Sequence, residues 1–259
     1  GGAGMSSSAA LENSVAFGLN EIFNLGLSKR ELILISQKAE HHFAGVRCGI
    51  MDQYASMFGE KESALLLDCR TLQSQAYTID LKKHQLLLIN TNVKHDLSES
   101  AYNDRRQVCE SVSKKLNVSA LRDASKQALE KIKKSISEDD FNKALYVIEE
   151  NERVHLFSKA IKENNTAALG ALLYQSHHGL STQYNVSCKE LDFLVAKAKE
   201  SPSILGARMM GGGFGGCTIN LVQKKAKKEI LKIAKEYEAA FQIKPAIYSV
   251  KLTDGVQLI

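Results

Sequence analysis

Apolar residues recur three or four apart at Leu11, Val15, Leu19, Ile22 and Phe23, which predicts a helix running from Ser8. Serines at its front can cap free N–H groups, and Asn24-Leu25-Gly26 closes it. Ser28 predicts the cap of a second helix, with Leu32, Ile35 and Ala39 on its buried face and Glu40 in its last turn. Residues 45–49 read as a loop, and 50–58 as a short helix with Asp52 in its first turn. Compact apolar runs at 64–68, 77–81 and 85–91 predict strands. From 99 to 199 the pattern is mostly helical: Phe141, Ala144, Leu145 and Ile148 share one helix, and Ala168, Leu172 and Leu173 another. Pro202 marks a break. A glycine loop, 211–216, feeds a strand at 217–222. Ile230, Ile233, Ala234, Tyr237 and Phe241 then predict a helix, and 246–252 a last strand. Strands and helices mixed without strict alternation imply an α+β fold. The weak stretch between Arg70 and His84 predicts a seam that divides the chain into domains 1–83 and 84–259.

Composition narrows the class. A chain of 259 residues with 44% hydrophobic and 24% charged residues is an ordinary globular protein of one large or two small domains, not a disordered or collagen-like one. The net charge of +5 falls short of a nucleic-acid footprint, so no nucleic-acid partner is expected. The densest basic run, Lys224, Lys225, Lys227 and Lys228, has no interleaved aromatics for base stacking and reads as a solvated helix end. No apolar stretch approaches the roughly 20 residues of a membrane helix, and no secretory signal pattern is visible, so no membrane partner is expected. Cys48, Cys69, Cys109, Cys188 and Cys217 are scattered without a CxxC pair, which suggests reduced thiols and a cytoplasmic setting. The chain opens on Gly1 rather than Met, inside a glycine-serine cluster, and further sequence before it is expected.

Three constellations could carry chemistry. Gly2-Ala3-Gly4-Met5-Ser6-Ser7-Ser8 opens a helix, where bare backbone N–H groups and the helix dipole favour an anion. Serine hydroxyls there add donors to phosphate and a magnesium ligand. The Gly-Lys-Ser/Thr ending of a Walker loop is absent. Five glycines in 211–216 suit positive φ or close approach to a ligand. Glu40 and Asp52 sit at helix edges joined by a glycine-containing loop. Magnesium takes such carboxylates, and phosphoryl transfer wants one to orient or deprotonate the acceptor hydroxyl. Each also has a bland reading, as a capped helix, a surface turn and a dipole partner. The adjacent pairs His41-His42 and His177-His178 lack one-face metal spacing and read as surface or packing residues.

Taken in order, these segments resemble the galactokinase family of the GHMP small-molecule kinases. Gly2-Ala3-Gly4-Met5-Ser6-Ser7-Ser8-Ala9-Ala10 is similar to the superfamily phosphate loop, with Met5 where Leu is usual. Ala39-Glu40-His41 through Cys48-Gly49-Ile50-Met51-Asp52-Gln53 resembles the segment ending in the family's catalytic aspartate. Gly206-Ala207-Arg208-Met209-Met210 followed by Gly211-Gly212-Gly213-Phe214-Gly215-Gly216-Cys217 resembles the third superfamily motif, with Met210 where Thr is usual. Ala64-Leu65-Leu66-Leu67-Asp68-Cys69-Arg70, Asn90-Thr91-Asn92-Val93-Lys94-His95, Tyr102 to Glu110 and Asp254-Gly255 match between and after them.

The resemblance implies a two-domain GHMP kinase fold. Its first domain would be like domain 2 of ribosomal protein S5, here incomplete, and its C-terminal domain ferredoxin-like with added helices. It implies a transferase of cytoplasmic galactose metabolism that turns ATP and α-D-galactose into ADP and galactose 1-phosphate. Gly2, Ala3, Gly4, Ser6, Ser7 and Ser8 would wrap the ATP phosphates, and Ser8 and Glu40 would hold Mg2+. Asp52 would be catalytic, acting on the sugar C1 hydroxyl. Gly49, Asp52 and Tyr102 would bind the sugar, and Gly211, Gly212 and Gly213 would close over the site. Oligomeric state is left open, with a monomer the expectation. Two alternatives are a non-catalytic galactose and ATP sensor acting through a protein partner, and an N-acetylgalactosamine kinase. One departure is large: the family's earlier signature, Arg-x-Asn-x-Ile-Gly-Glu-His-x-Asp-Tyr, is absent. Its Arg is an electrostatic donor of a kind worth about 2.7–4 kcal/mol in a transition state, so this chain alone is expected to be almost inactive.

Overall fold

The computed structural model describes residues 5–94 and 98–258, with side chains for all of these but 94 and 98–102. The first half is helical with one hairpin. α1 (Ser7–Ile22) is followed by α2 (Lys29–Ala39), a π turn (Glu40–Ala44) and α3 (Met51–Phe58). β1 (Ser63–Asp68) and β2 (Gln73–Thr78) pair antiparallel, Leu65 opposite Ala76. β2 lies a few residues before the predicted 77–81, because Ile79 and Leu81 pack from the connection beyond it.

The apolar stripe that predicted α1 faces outward. Ile22 is 71% exposed, Leu11 67% and Phe23 64%. The buried face instead carries Ala9, Asn13 and Asn20. Small and amide side chains let α2 and α3 approach closely, and the amides find backbone partners: Asn13 Nδ2 donates to Gln53 O (2.8 Å). The Leu27 N–H donates to Asn20 Oδ1 (2.9 Å). α2 is likewise rotated from its predicted face, burying Leu32, Ile33 and Ser36 and leaving Ile35 exposed. Ser28 caps it as predicted, in a reciprocal capping box with Glu31. The serines before α1 do not act so. Ser6 is left-handed (φ 52°) and makes no side-chain cap bond, since that backbone turn aims its hydroxyl away from the helix N–H groups.

The second half continues with β3 (His84–Lys94), α4 (Ser98–Lys115), α5 (Lys126–Ile132), α6 (Glu138–Lys162), α7 (Thr166–Thr182) and α8 (Lys189–Lys199). β4 (Ile204–Met209), β5 (Gly215–Gln223), α9 (Lys227–Phe241) and β6 (Ala246–Val250) complete it. The sheet is antiparallel, ordered β4-β5-β3-β6, with Leu88 opposite both Ile219 and Tyr248. Alternation along β3 sends Leu87 and Ile89 into a core with Leu194 of α8 and Ile230, Ile233 and Tyr237 of α9. Leu86 faces the other way, toward Leu169 and Leu173 of α7, Ile161 of α6 and Tyr77 of the hairpin. α7 lies directly on β4. Gly170 and Gly206 meet there, and a Cβ on Gly206 would stand 2.4 Å from Gly170 O.

The chain then returns to the first half. Gly255 N–H donates to Gly59 O (2.8 Å), Val256 N–H to Ser56 O (3.1 Å) and Glu62 N–H to Leu252 O (3.3 Å). Lys29 Nζ donates to Val256 O (2.7 Å), and Val256 packs on Tyr54, Met57 and their neighbours. Among the described residues no helix is long and apolar enough to cross a membrane.

Candidate active site

Asp52 enters the first turn of α3, where the helix dipole favours its charge. Glu40 sits where α2 passes into the π turn, a wider turn that re-aims the chain toward the 45–49 loop. That loop is held from behind. Gln37 Nε2 donates to Cys48 O (3.1 Å), and His41 Nε2 lies 2.9 Å from the same oxygen. His41 thus has a packing role, as its sequence reading held, and it was no part of the predicted site.

A cavity of about 480 Å³ collects the predicted groups. Ser8, Glu40, Gly49, Asp52, Gly212 and Gly213 line it together with Cys48, Met51 and Gln53. Residues spread over more than 200 positions of sequence therefore meet at one opening. A second, largely apolar cavity of about 370 Å³ continues from Asp52 beneath Ser6 and Gly211, between the hairpin and the α6–α7 pair. Glu150, Ser176 and Arg208 form its polar end, where Ser176 Oγ donates to Glu150 Oε1 (2.5 Å) and Arg208 Nη1 to Ser176 Oγ (3.0 Å). Gly2, Ala3 and Gly4 lie outside the described residues, as does the side chain of Tyr102. Ser7 is exposed at the start of α1 and lines neither cavity.

Among the described residues, the charged groups that line this opening are the carboxylates of Glu40 and Asp52. Glu12, one turn beyond Ser8 on α1, has a buried Oε2 without a hydrogen-bond partner. Burial and then the charge of Glu40 push its carboxyl above the usual range, a contact with Gln53 opposing. Burial, and after it the charge of Glu40, also raises the Cys48 thiol, with Asp52 adding to the effect. A hydroxyl and carboxylates are hard oxygen donors, so this set suits a small divalent cation beside a polyphosphate. Sequence reading missed Glu12 because a single acid among apolar helix positions looks like surface charge.

The glycine loop is strained as its composition predicted. Gly213 has φ +89°, and a Cβ there would stand 2.0 Å from Val186 O. Phe214 also takes a positive φ (58°), held by its N–H donating to Val186 O (2.8 Å). Behind the loop, Met209 N–H donates to His177 Nδ1 (3.1 Å), which places the remaining ring proton on Nε2, 3.1 Å from Asp192 Oδ1.

Ser8 at the start of a helix, two carboxylates and a strained glycine loop meet around one cavity, an arrangement that suits phosphoryl transfer to a small molecule, the chemistry of a small-molecule kinase. Comparison with known proteins agrees. The family model "GHMP kinases N terminal domain" matches residues 1–60, and "GHMP kinases C terminal" matches residues 157–239. The galactokinase of Thermosipho africanus is 43% identical over the whole chain, which spans 73% of that protein. The Thermotoga maritima galactokinase gives the same identity and shares. In structure, galactokinase from Lactococcus lactis, solved with galactose, superposes with a TM-score of 0.93 at 33% identity, over 98% of this chain and 67% of that one. Mevalonate kinase of L. major, at 18% identity and a TM-score of 0.61, shares the fold alone. The chain belongs to the galactokinase family of the GHMP kinases, with their two-domain fold.

Proposed function

We propose that the protein carrying this chain transfers the γ-phosphoryl group of ATP to the C1 hydroxyl of α-D-galactose, giving galactose 1-phosphate and ADP. The supporting observation is that Asp52, Glu40, Ser8 and the glycine loop open on one cavity in a chain 43% identical to galactokinases. The sugar O1 forms a bond to Pγ as the bond from Pγ to the β–γ bridging oxygen breaks. The O1 proton passes to Asp52 or is aligned by it, and the first turn of α3 positions that carboxylate. Ser6 makes no side-chain cap bond to α1, which suits N–H donors directed at the phosphates, with Ser6, Ser7 and Ser8 beside them and Gly2, Ala3 and Gly4 leading in. Ser8 and Glu40 would hold Mg2+, which when bound neutralises charge on the β- and γ-phosphates. Gly49 and Tyr102 would line the sugar pocket, and Gly211 to Gly213 would close it. The domain seam falls between residues 83 and 84, and the cytoplasm is the compartment we propose.

The test is ADP release by the full-length gene product, with galactose and with N-acetylgalactosamine, with and without Mg2+. Galactose-dependent, Mg2+-dependent turnover is expected. Binding of ATP and galactose without turnover, or a higher kcat/KM for N-acetylgalactosamine, overturns the reading.

A further inference from the structure

Three residues on α4 grip the 45–49 loop on one side and the 184–186 turn behind the glycine loop on the other. Asn103 reaches the 45–49 loop, accepting at Oδ1 from Arg47 N–H (3.3 Å) and donating from Nδ2 to Gly45 O (3.4 Å). Arg106 donates to Arg47 O (3.1 Å) and is steadied by Glu110 (2.9 Å). Arg105 points the opposite way. Its Nε donates to Tyr184 O (2.8 Å) and its Nη2 to Asn185 O (2.7 Å), while Nη1 is held by Asp104 (2.7 Å). Only 14% of its side chain is exposed. The residue after those two carbonyls is Val186, whose oxygen accepts from Phe214 N–H and bars any Cβ at Gly213. Asn185 is also tied to the start of α6 through Asp139 (3.4 Å), and Asp139 to Lys143 (2.6 Å).

We propose that residues 103–106 form a brace that fixes the spacing between the 45–49 loop, which joins Glu40 to Asp52, and the glycine loop, with Arg105 its main positioning residue. Arg105 lines neither cavity and acts through the 184–186 turn. A planar guanidinium satisfies two adjacent carbonyls at once, where a lysine reaches one. Removing it breaks both of these hydrogen bonds, so the turn loses its anchor on α4 and its hold on Phe214 loosens. The glycine loop then loses its register against Ser8 and Ala9, while Asn103 and Arg106 still hold the loop bearing Gly49. The effect on turnover rests on the kinase reading above; the mechanical coupling does not.

Hydrogen–deuterium exchange and steady-state kinetics on the full-length gene product test this with Arg105→Ala, Arg105→Lys and Asn103→Ala. Arg105→Ala should speed exchange at both 184–187 and 211–216 and leave β3 protected. Its kcat should fall about 10–100-fold with a raised KM for ATP, as expected when a reacting group is held slightly out of place. The KM for galactose should stay within about twofold, and millimolar guanidinium should restore part of kcat, since the lost group is a discrete donor. Arg105→Lys should lie between. Asn103→Ala should loosen 45–49 instead of 211–216. Loosening of 184–187 without 211–216, unchanged kinetics despite loosening of both, or a uniform loss of protection across the molecule each overturns the proposal. If the parent protein does not phosphorylate galactose, the exchange pattern alone decides the brace, so the two failures are distinguishable.

Discussion

The two halves of the molecule bury their apolar surface differently. In the second, α8 and α9 close one face of the sheet around Leu194, Ile233 and Tyr237, and α6 with α7 closes the other. Tyr237 ties the two layers there, donating from its hydroxyl to Thr91 O at 2.9 Å. In the first half α1, α2 and α3 enclose a smaller buried core of Leu32, Ile33, Ile50, Tyr54 and Met57, with Ala16, Phe17 and Phe58 half-buried against it, while Leu11, Ile22 and Phe23 stand in solvent. Yet Ser8, Glu40 and Asp52 belong to this half. The proposed reacting groups sit on α1, α2 and α3, and the glycine loop comes to them from the other half. In this fold, chemistry and burial are divided between the halves.

Four substitutions in the full-length gene product probe that division, from the largest effect down. Asp52→Asn should lower kcat by about 10²–10⁴-fold, the usual worth of a positioned acid–base group, while ATP titrates normally. Retained turnover would remove Asp52 from its role and with it the claim that the first half holds the chemistry. Leu194→Ala should cost about 2–5 kcal/mol of stability in a urea titration, as buried leucines do, and leave both KM values alone. A change in KM would show that the second core shapes the cavity directly. Gly213→Ala should cost about 1–3 kcal/mol, because a strained backbone position must move from its contact with Val186 O. Here the loss should show in the KM for ATP, since this loop is the point where the rigid half touches the site.

The smallest effect concerns the polar staple between the halves. Arg122 grips Asp68 with two bonds (2.8 and 2.7 Å), and Arg70 grips Asp123 in return (3.0 and 2.6 Å). The Arg122 guanidinium, followed by the N–H groups of Thr71 and Arg70, holds the Asp68 carboxyl well below the usual carboxylate range. A depressed folded value means the stabilisation is present above the unfolded carboxylate value of about 3.9 and is lost as pH falls toward the folded one. Urea midpoints from pH 5 down to pH 2 should therefore fall less steeply in Asp68→Asn than in the parent. Equal slopes would show that the staple carries no stability.

Much of this was legible in the sequence. Serine and glycine punctuation marked α2, α3 and the loop of 211–216, and three ordered motifs named the family before any contact was seen. β4 was missed because Ile-Leu-Gly-Ala-Arg-Met neither alternates nor runs apolar; its Gly206 is there for α7 rather than for the strand. The buried face of α2 was misread, and that of α1 was not legible, because periodicity reports that a helix has two sides but not which one meets a neighbour. Asn13 and Asn20 look like solvent residues until their backbone partners are known. The brace on α4 was invisible for a related reason: a run such as Asn103-Asp104-Arg105-Arg106 is indistinguishable from a solvated helix face until the carbonyls it serves are placed.

The return of residues 252–256 to Gly59 and Ser56 bears on how the molecule comes to exist at all. A ribosome adding about 5–20 residues each second makes the partners of that contact some tens of seconds apart. During that interval the half that bears Glu40 and Asp52 has emerged without the strand end that seals Met57 and Tyr54, and it must wait, half closed, for the rest of the message to be read.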